Sequence, residues 1–473
     1  MPSAQNSFFA TARNDTSCHS NKLNSPFLHN TPPIMATQLK ITEGRLLNTI
    51  HETAAKWGAA GVWGSHHTET GCCRLALSDL DKGVRDWFVE ETKALGCTVK
   101  VDEMGSIFAI YPGKNEGPPT GIGSHLDTQP NGGRYDGIYG VLSGLEVLRT
   151  MKDNNFVPNF PVAVVDWTNE EGARFPKTCI ASCVWAGSVT KEEAYKVESI
   201  TDKVPVSYGA ELERIGYKGT TPSNHTENPL AAHFEIHIEQ GPVLEHEKKK
   251  IGIVVGAQAY HWQQIIVKGR SSHAGTTPMH TRSDALHIAS KMICSAIDIA
   301  KSHGGLATIG TISLEPSSVN VIPEKVMFTL DTRHVEDAIL ETINADIAKE
   351  FEKLVEAGSD PAQTALPLEV EHELLVHSEA IKFNETNIAT VRQSAIQLFG
   401  EENVREITSG AGHDSCSTSH VVPTSMIFIP SKNGISHNPE EYSSPEEVAN
   451  GFEVLLATIV KYDELRAKNS QAS

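Results

Sequence analysis

Apolar and polar positions along this chain follow two different periods, and the places where the period changes mark its elements. After Ser78-Asp79-Leu80-Asp81, the residues Val84, Trp87 and Phe88 recur at helical spacing, which predicts a helix with Ser78 as N-cap and Gly96 past its end. Cys97, Val99 and Val101 alternate as a strand does, and 107–111 predicts a second strand after a turn. A helix is expected over about 137–151, with Leu142, Leu145 and Leu148 turned inward. The stretch 161–167 is almost unbroken apolar sequence, the pattern of a strand covered on both faces. Strands alternating with helices in this way predict an α/β sheet.

From about Ala259 the register changes. Strands are expected over 261–268, 307–314 and 325–330, and helices over 283–303 and 335–354. These predict an inserted α+β domain over 259–374, with 356–367 as its return linker. The catalytic α/β domain would then comprise 39–258 and 375–473 and close on a helix over 445–465. Residues 1–38 are rich in Ser, Asn, Thr and Pro without periodicity, and are expected to be disordered.

Composition narrows the partners. With 40 basic and 59 acidic residues the formal charge is −19, so a nucleic-acid backbone binder, which needs a basic face, is disfavoured. No apolar run approaches the length of a membrane span. Eight dispersed cysteines without a CxxC pair argue against a disulfide framework and for a reducing compartment, read as the cytoplasm, with a mitochondrial presequence as the second reading.

Five segments carry candidate chemistry. In Gly123-Ser124-His125-Leu126-Asp127-Thr128, His125 stands where a strand runs into a loop, the edge at which α/β sheets bind ligands. A neutral imidazole suits zinc, and Asp127 could accept its other ring N–H; an ordinary loop histidine is the alternative. Asp136, in Tyr135-Asp136-Gly137, precedes a helix and reads either as an N-cap or as a ligand to the same metal. Glu170 and Glu171 end the apolar strand, where two adjacent acids are costly without partners; one could bind metal while the other serves as general base. On 233–239 strand alternation puts Phe234, Ile236 and Ile238 on one face and Glu235, His237 and Glu239 on the other, for a polar site or for solvent. His437, in Gly434-Ile435-Ser436-His437-Asn438-Pro439, is a candidate ligand on a loop. The loop Ser271-Ser272-His273-Ala274-Gly275 presents one further histidine, and Asn320, Asp331 and Arg333 flank a strand of the insert, whereas His261, His280 and His303 read as structural or surface residues.

Taken in order, these segments resemble the zinc-dependent aminoacylase and carboxypeptidase family over roughly 39–465. Within it they resemble the branch of β-alanine synthase, N-carbamoyl-L-amino-acid hydrolase and allantoate amidohydrolase. The mark of that branch is His237-Ile238-Glu239-Gln240-Gly241, with a histidine where other relatives carry an acid. The nearest likeness is to fungal-type β-alanine synthases, and it includes Val84-Arg85-Asp86-Trp87-Phe88 and the run from Pro423 to Lys432.

The resemblance implies a di-zinc α/β catalytic domain with an inserted α+β lid and dimerisation domain. It implies two Zn2+ ions, or Mn2+, Co2+ or Ni2+ in their place, held by His125, Asp136, Glu171, His237 and His437, with Asp136 bridging. Glu170 would be the general acid/base. His273 would stabilise the oxyanion from the partner subunit of a homodimer. Gln240, Asn320, Arg333 and the loop carrying His413 would bind a small anionic ureido acid. The implied reaction is hydrolysis of a ureido-acid C–N bond, foremost N-carbamoyl-β-alanine to β-alanine, carbon dioxide and ammonia in pyrimidine breakdown. The alternatives are an N-carbamoyl-L-amino-acid hydrolase or allantoate amidohydrolase and, further off, a metallopeptidase or aminoacylase.

Overall fold

A computed structural model describes residues 39–358 and 367–472; the expected disordered segment 1–38 and most of the expected linker lie outside the described residues. The helix Asp79–Ala94 begins as its sequence predicts, because the Ser78 side chain accepts the N–H of Asp81 at 3.2 Å.

The large sheet has nine strands. At its centre four run parallel and adjacent, in the order Thr424–Ile429, Ala232–Ile238, Thr120–Ser124, Val162–Asp166. All four are buried along their whole length, which is why 162–165 reads as continuous apolar sequence. Antiparallel strands extend both flanks: Ile107–Tyr111 and Thr98–Val101 on one side, and Ile251–Ala257 on the other. The helix Ile138–Asp153 packs on the central strands and buries Leu142, Leu145 and Leu148. The closing helix, Pro445–Ala472, is longer than expected.

A second sheet is wholly antiparallel. Ala259–Lys268 and Lys325–His334 pair along ten residues each, with Leu306–Thr308, Ile312–Glu315 and Glu369–Ser378 beside them. The helices Ala285–Ser302 and Asp337–Gly358 share a separate apolar core with this sheet, built on Ile265, Val267, Met292, Phe328 and Phe351. One expected boundary needs correction. The position 374 falls inside Glu369–Ser378, whose partner is Ala259–Lys268, so the insert runs to 378. Leu374 and Leu375 are exposed on this edge strand and gave no signal of where the pairing stops. Among the described residues, no helix is long and apolar enough to cross a membrane.

Candidate active site

The four central parallel strands end on one edge, and each delivers a chemical group there. His125 follows Thr120–Ser124 directly, Glu170 and Glu171 follow Val162–Asp166, His237 is the penultimate residue of Ala232–Ile238, and His437 lies on the loop after Thr424–Ile429. Asp136 arrives from the loop before the helix Ile138–Asp153. That helix is capped by Gly137 with no side-chain bond, so Asp136 is not the N-cap.

Asp136 is the centre of the arrangement. Its Oδ1 lies 3.0 Å from His237 Nε2 and 3.6 Å from His125 Nε2, and its Oδ2 lies 3.3 Å from His437 Nε2. His437 Nε2 is also 3.3 Å from Glu171 Oε2. The ligand atoms of His125, Asp136 and His237 converge within 4.8 Å of one another, and those of Asp136, Glu171 and His437 do the same. The two triads share one aspartate and take opposite oxygens of it.

Glycine at 137 is a requirement of this geometry. Its φ is +63°, and a Cβ there would sit 2.2 Å from the His125 ring. His237 and His125 are also oriented from behind. His237 Nδ1 donates to its own neighbour's carbonyl, Ile238 O, at 2.8 Å, which places the lone pair on Nε2, where it accepts the N–H of Gly137 at 3.1 Å. His125 Nδ1 donates to the backbone carbonyl of Asp127 at 2.9 Å. This corrects the expectation for the Asp127 carboxylate, which is 3.9 Å from that nitrogen and instead accepts the N–H groups of Glu170 and Glu171, each at 3.3 Å. The chain turns back after His125, so the carbonyl reaches the ring first and the carboxylate is left to hold the neighbouring loop.

The adjacent acids diverge. Glu171 faces His437 and is held by Gln129, whose Nε2 donates at 2.7 Å. Glu170 Oε2 stands 3.6 Å from His125 Nε2, and Cys179 Sγ donates to its Oε1 at 3.3 Å. Burial pushes the Glu170 carboxyl well above its usual range, and the Asp414, Glu171 and Asp136 carboxylates add to the push against the opposing pull of His125. For Asp136 burial acts in the same upward direction, but His237, His125 and His437 hold it well below the ordinary carboxylate range.

The donor set fits divalent metal ions. Asp136, Glu170 and Glu171 are buried, and histidines are their only ion-pair partners among the described residues. Buried carboxylates without a Lys or Arg need another source of positive charge. Imidazole nitrogens and carboxylate oxygens are the ligands that zinc and its neighbours take.

The other candidates distribute unevenly. Gln240 donates to Asp136 Oδ2 at 2.7 Å and to Ser436 Oγ at 3.1 Å, so it touches the centre and also lines a cleft of about 1030 Å³. Arg333, from the second sheet, lines the same cleft; its guanidinium is engaged by Asp331 at 2.7 Å and donates to Gly410 O at 2.8 Å. His413 is buried behind His237, ring centroids 4.7 Å apart, and exchanges a hydrogen bond with Ser409 at 2.9 Å. His273 and Asn320 lie together, on the paired segments Ser272–His273 and Val321–Ile322 and just beside them. Among the described residues no hydrogen bond or ion pair joins either of them to the Asp136 cluster. Of Glu235, His237 and Glu239, only His237 reaches Asp136. Glu235 accepts from Ser124 Oγ and from the N–H of Ser415, while Glu239 accepts the N–H groups of Val243 and Leu244. The half-exposed strand weighed for 233–239 is not what forms, since Ala232–Ile238 is buried throughout.

Sequence reasoning missed Glu441. Its Oε1 accepts the N–H groups of both Tyr135 and Asp136 at 3.0 Å, and its Oε2 accepts Ser436 Oγ at 2.9 Å. It fixes the backbone of the shared aspartate from the loop that carries His437. Its place four residues after His437 was the available signal.

A parallel sheet edge bearing two imidazole–carboxylate triads on a shared aspartate is the site of a metal-dependent hydrolase. The chain belongs to peptidase family M20/M25/M40, whose model matches residues 121–461. Within that family it is similar to proteins named as amidohydrolases and amidases. It is 37% identical over 429 residues to an N-carbamoyl-L-amino-acid amidohydrolase of Rhizobium meliloti, covering 90% of this chain and 98% of that protein. It is 31% identical over 396 residues to a ureidoglycolate hydrolase of Oryza sativa subsp. japonica, covering 82% of this chain and 80% of that one. The crystal structure of an amidase of the hydantoinase/carbamoylase family from Burkholderia multivorans superposes with a TM-score of 0.80 at 41% identity, over 89% of this chain and 98% of the other.

Proposed function

We propose that this chain hydrolyses the carbamoyl C–N bond of N-carbamoyl-L-amino acids, using two divalent metal ions that share Asp136. The observation that carries the reading is the pair of converging triads on opposite oxygens of that aspartate. The names of the relatives favour an α-amino-acid skeleton over the β-alanine one that the likeness to fungal-type β-alanine synthases suggested.

The carbamoyl carbon is flanked by two nitrogens and is a poor electrophile, so attack at neutral pH needs an activated water. Zinc held by His125, Asp136 and His237, and by Asp136, Glu171 and His437, would supply Lewis acidity and lower the pKa of water from 15.7 to about 7. Glu170 takes the proton of the attacking water and passes it to the leaving amino nitrogen. The products are the amino acid and carbamic acid, which falls apart to carbon dioxide and ammonia. Burial of Glu170 suits both halves of that task, since a carboxyl with a raised affinity for protons accepts one readily.

Arg333 and Gln240 line the cleft beside the centre and hold the substrate carboxylate, Arg333 by exchanging its Asp331 and Gly410 contacts for a bidentate pair. His273 and Asn320 sit apart from the cluster of their own chain, which supports a homodimer in which they complete the partner's site. His273 then offers its imidazole to the developing oxyanion, a contact whose loss typically costs on the order of 10²–10³ in rate.

The test is ammonia release from N-carbamoyl-L-amino acids, N-carbamoyl-β-alanine, ureidoglycolate and allantoate, supplied separately to zinc-loaded enzyme. Preference for the first supports the reading. Preference for another ureido acid moves the substrate and leaves the site as assigned, and dipeptide cleavage without ammonia release from any of them overturns it. Mixing a His273→Ala chain with a Glu170→Gln chain is expected to restore activity in heterodimers. No restoration despite proven subunit exchange removes the shared-site proposal.

A further inference from the structure

A second cluster of metal-ligating side chains lies in the antiparallel sheet, away from Asp136. His261 on Ala259–Lys268 and His377 on the edge strand Glu369–Ser378 stand directly opposite each other in register. That register exists because the pairing slips between Leu374 and Val376, where Leu375 is an extra residue. Such a bulge re-aims every later side chain, and here it turns His377 onto the same face as buried His261. Glu341 projects from the helix Asp337–Gly358, which packs on that face. His261 Nε2 lies 2.5 Å from His377 Nδ1 and 3.4 Å from Glu341 Oε1, and the three ligand atoms fall within 4.8 Å of one another.

We propose that His261, His377 and Glu341 form a separate binding site for one divalent transition-metal ion. Two imidazole nitrogens and a carboxylate oxygen are the donors that zinc or nickel takes. His377 and Glu341 are exposed, so water completes the coordination sphere from the open edge of the sheet.

The surroundings define what metal binding must change. Asn344 Nδ2 faces His261 Nδ1 at 3.1 Å, while Asn344 Oδ1 accepts Gln263 Nε2 at 2.7 Å and Thr332 Oγ1 at 2.9 Å. Without metal, His261 therefore carries its proton on Nε2 and donates it to His377. Metal at Nε2 moves that proton to Nδ1, and the Asn344 amide turns so that its oxygen accepts it. His261 stays neutral throughout, and no proton is lost to solvent. Asn344 is thus a built-in restraint on the site, and an aspartate there would supply the accepting oxygen outright.

The site is also placed to matter mechanically. His261 and His377 are each within four residues of the points where the chain crosses between the two sheets, and Ala380 N donates to Asp337 Oδ1 at 2.7 Å on the helix that carries Glu341. A bound ion ties both crossing strands to that helix.

The experiment is a chelator-competition titration of the full-length protein with Zn2+ and, separately, Ni2+. Wild type is expected to bind one equivalent per chain more than His377→Ala. The same difference is expected in an Asp136→Ala background, which makes the result independent of the catalytic centre. Asn344→Asp is expected to tighten the extra site about tenfold, the low end of the effect of a metal-orienting partner. Equal stoichiometry in wild type and His377→Ala overturns the proposal, as does an Asn344→Asp variant that binds the extra ion no more tightly.

Discussion

The two sheets handle polar groups in opposite ways. At the edge of the large sheet, carboxylates and imidazoles crowd around Asp136, with no Lys or Arg among the described residues ion-paired to Asp136, Glu170 or Glu171. In the antiparallel sheet the polar groups satisfy one another: Arg333 pairs with Asp331, Thr332 and Gln263 bond Asn344, and the apolar core lies apart from them. A region that satisfies its own charges is stable as it stands. One that leaves like charges facing each other is stable only with something added, and that is the signature of a site. The four central strands of the large sheet can do this because they are parallel and all end on one side, and an antiparallel sheet sends half of its strand ends away.

The contrast can be broken by mutation, most severely at the shared aspartate. Asp136→Ala removes a donor from both triads, so turnover should fall below detection and metal content, read by elemental analysis, should drop with it. Retained metal and turnover would show that the triads are not the site. Glu170→Gln keeps the ligand set and removes the proton acceptor. The expected loss is about 10²–10⁴ in kcat, with metal content unchanged, since a positioned acid–base group contributes about that much. Glu441→Ala strips the acceptor from two buried N–H groups and should weaken metal binding about 10–100-fold, with partial rescue by Glu441→Gln, which keeps one accepting oxygen. A merely structural role for Glu441 would lower the melting temperature and leave metal affinity unmoved. Arg333→Ala, on the self-satisfied side of the contrast, should raise KM about tenfold and leave kcat and metal content nearly unchanged, as for a lost charged hydrogen bond of about 1.5–3 kcal/mol partly offset by solvent. A fall in kcat with KM unchanged would move Arg333 from binding into the chemistry.

Much of the site was legible because its residues sit at strand ends. The apolar run 161–167 locates a covered strand, and the acid pair after it has few innocent explanations. Asp127 was misread in detail for a reason of geometry: the spacing to His125 suits either its carbonyl or its carboxylate, and only the turn of the loop selects the carbonyl. Glu239 obeys strand alternation on paper, yet it lies one residue past the strand and caps the next helix. Glu441 had only its nearness to His437 to point to it, because its partners, the N–H groups of Tyr135 and Asp136, are about three hundred positions away. His261 was passed over because its meaning depends on a bulge more than a hundred residues later.

By itself, the sequence determined the α/β class, the presence of an inserted α+β unit, the helix start at Ser78 and the identity of the groups at each strand end, because periodicity, capping and burial cost are local properties of the chain. The tertiary structure alone decided that Asp136 offers one oxygen to each triad, that Gly137 must lack a side chain beside His125, that the insert ends at 378, and that His261 faces His377. Each of these depends on which strand lies beside which and on where a register slips, and neither is encoded within any one segment.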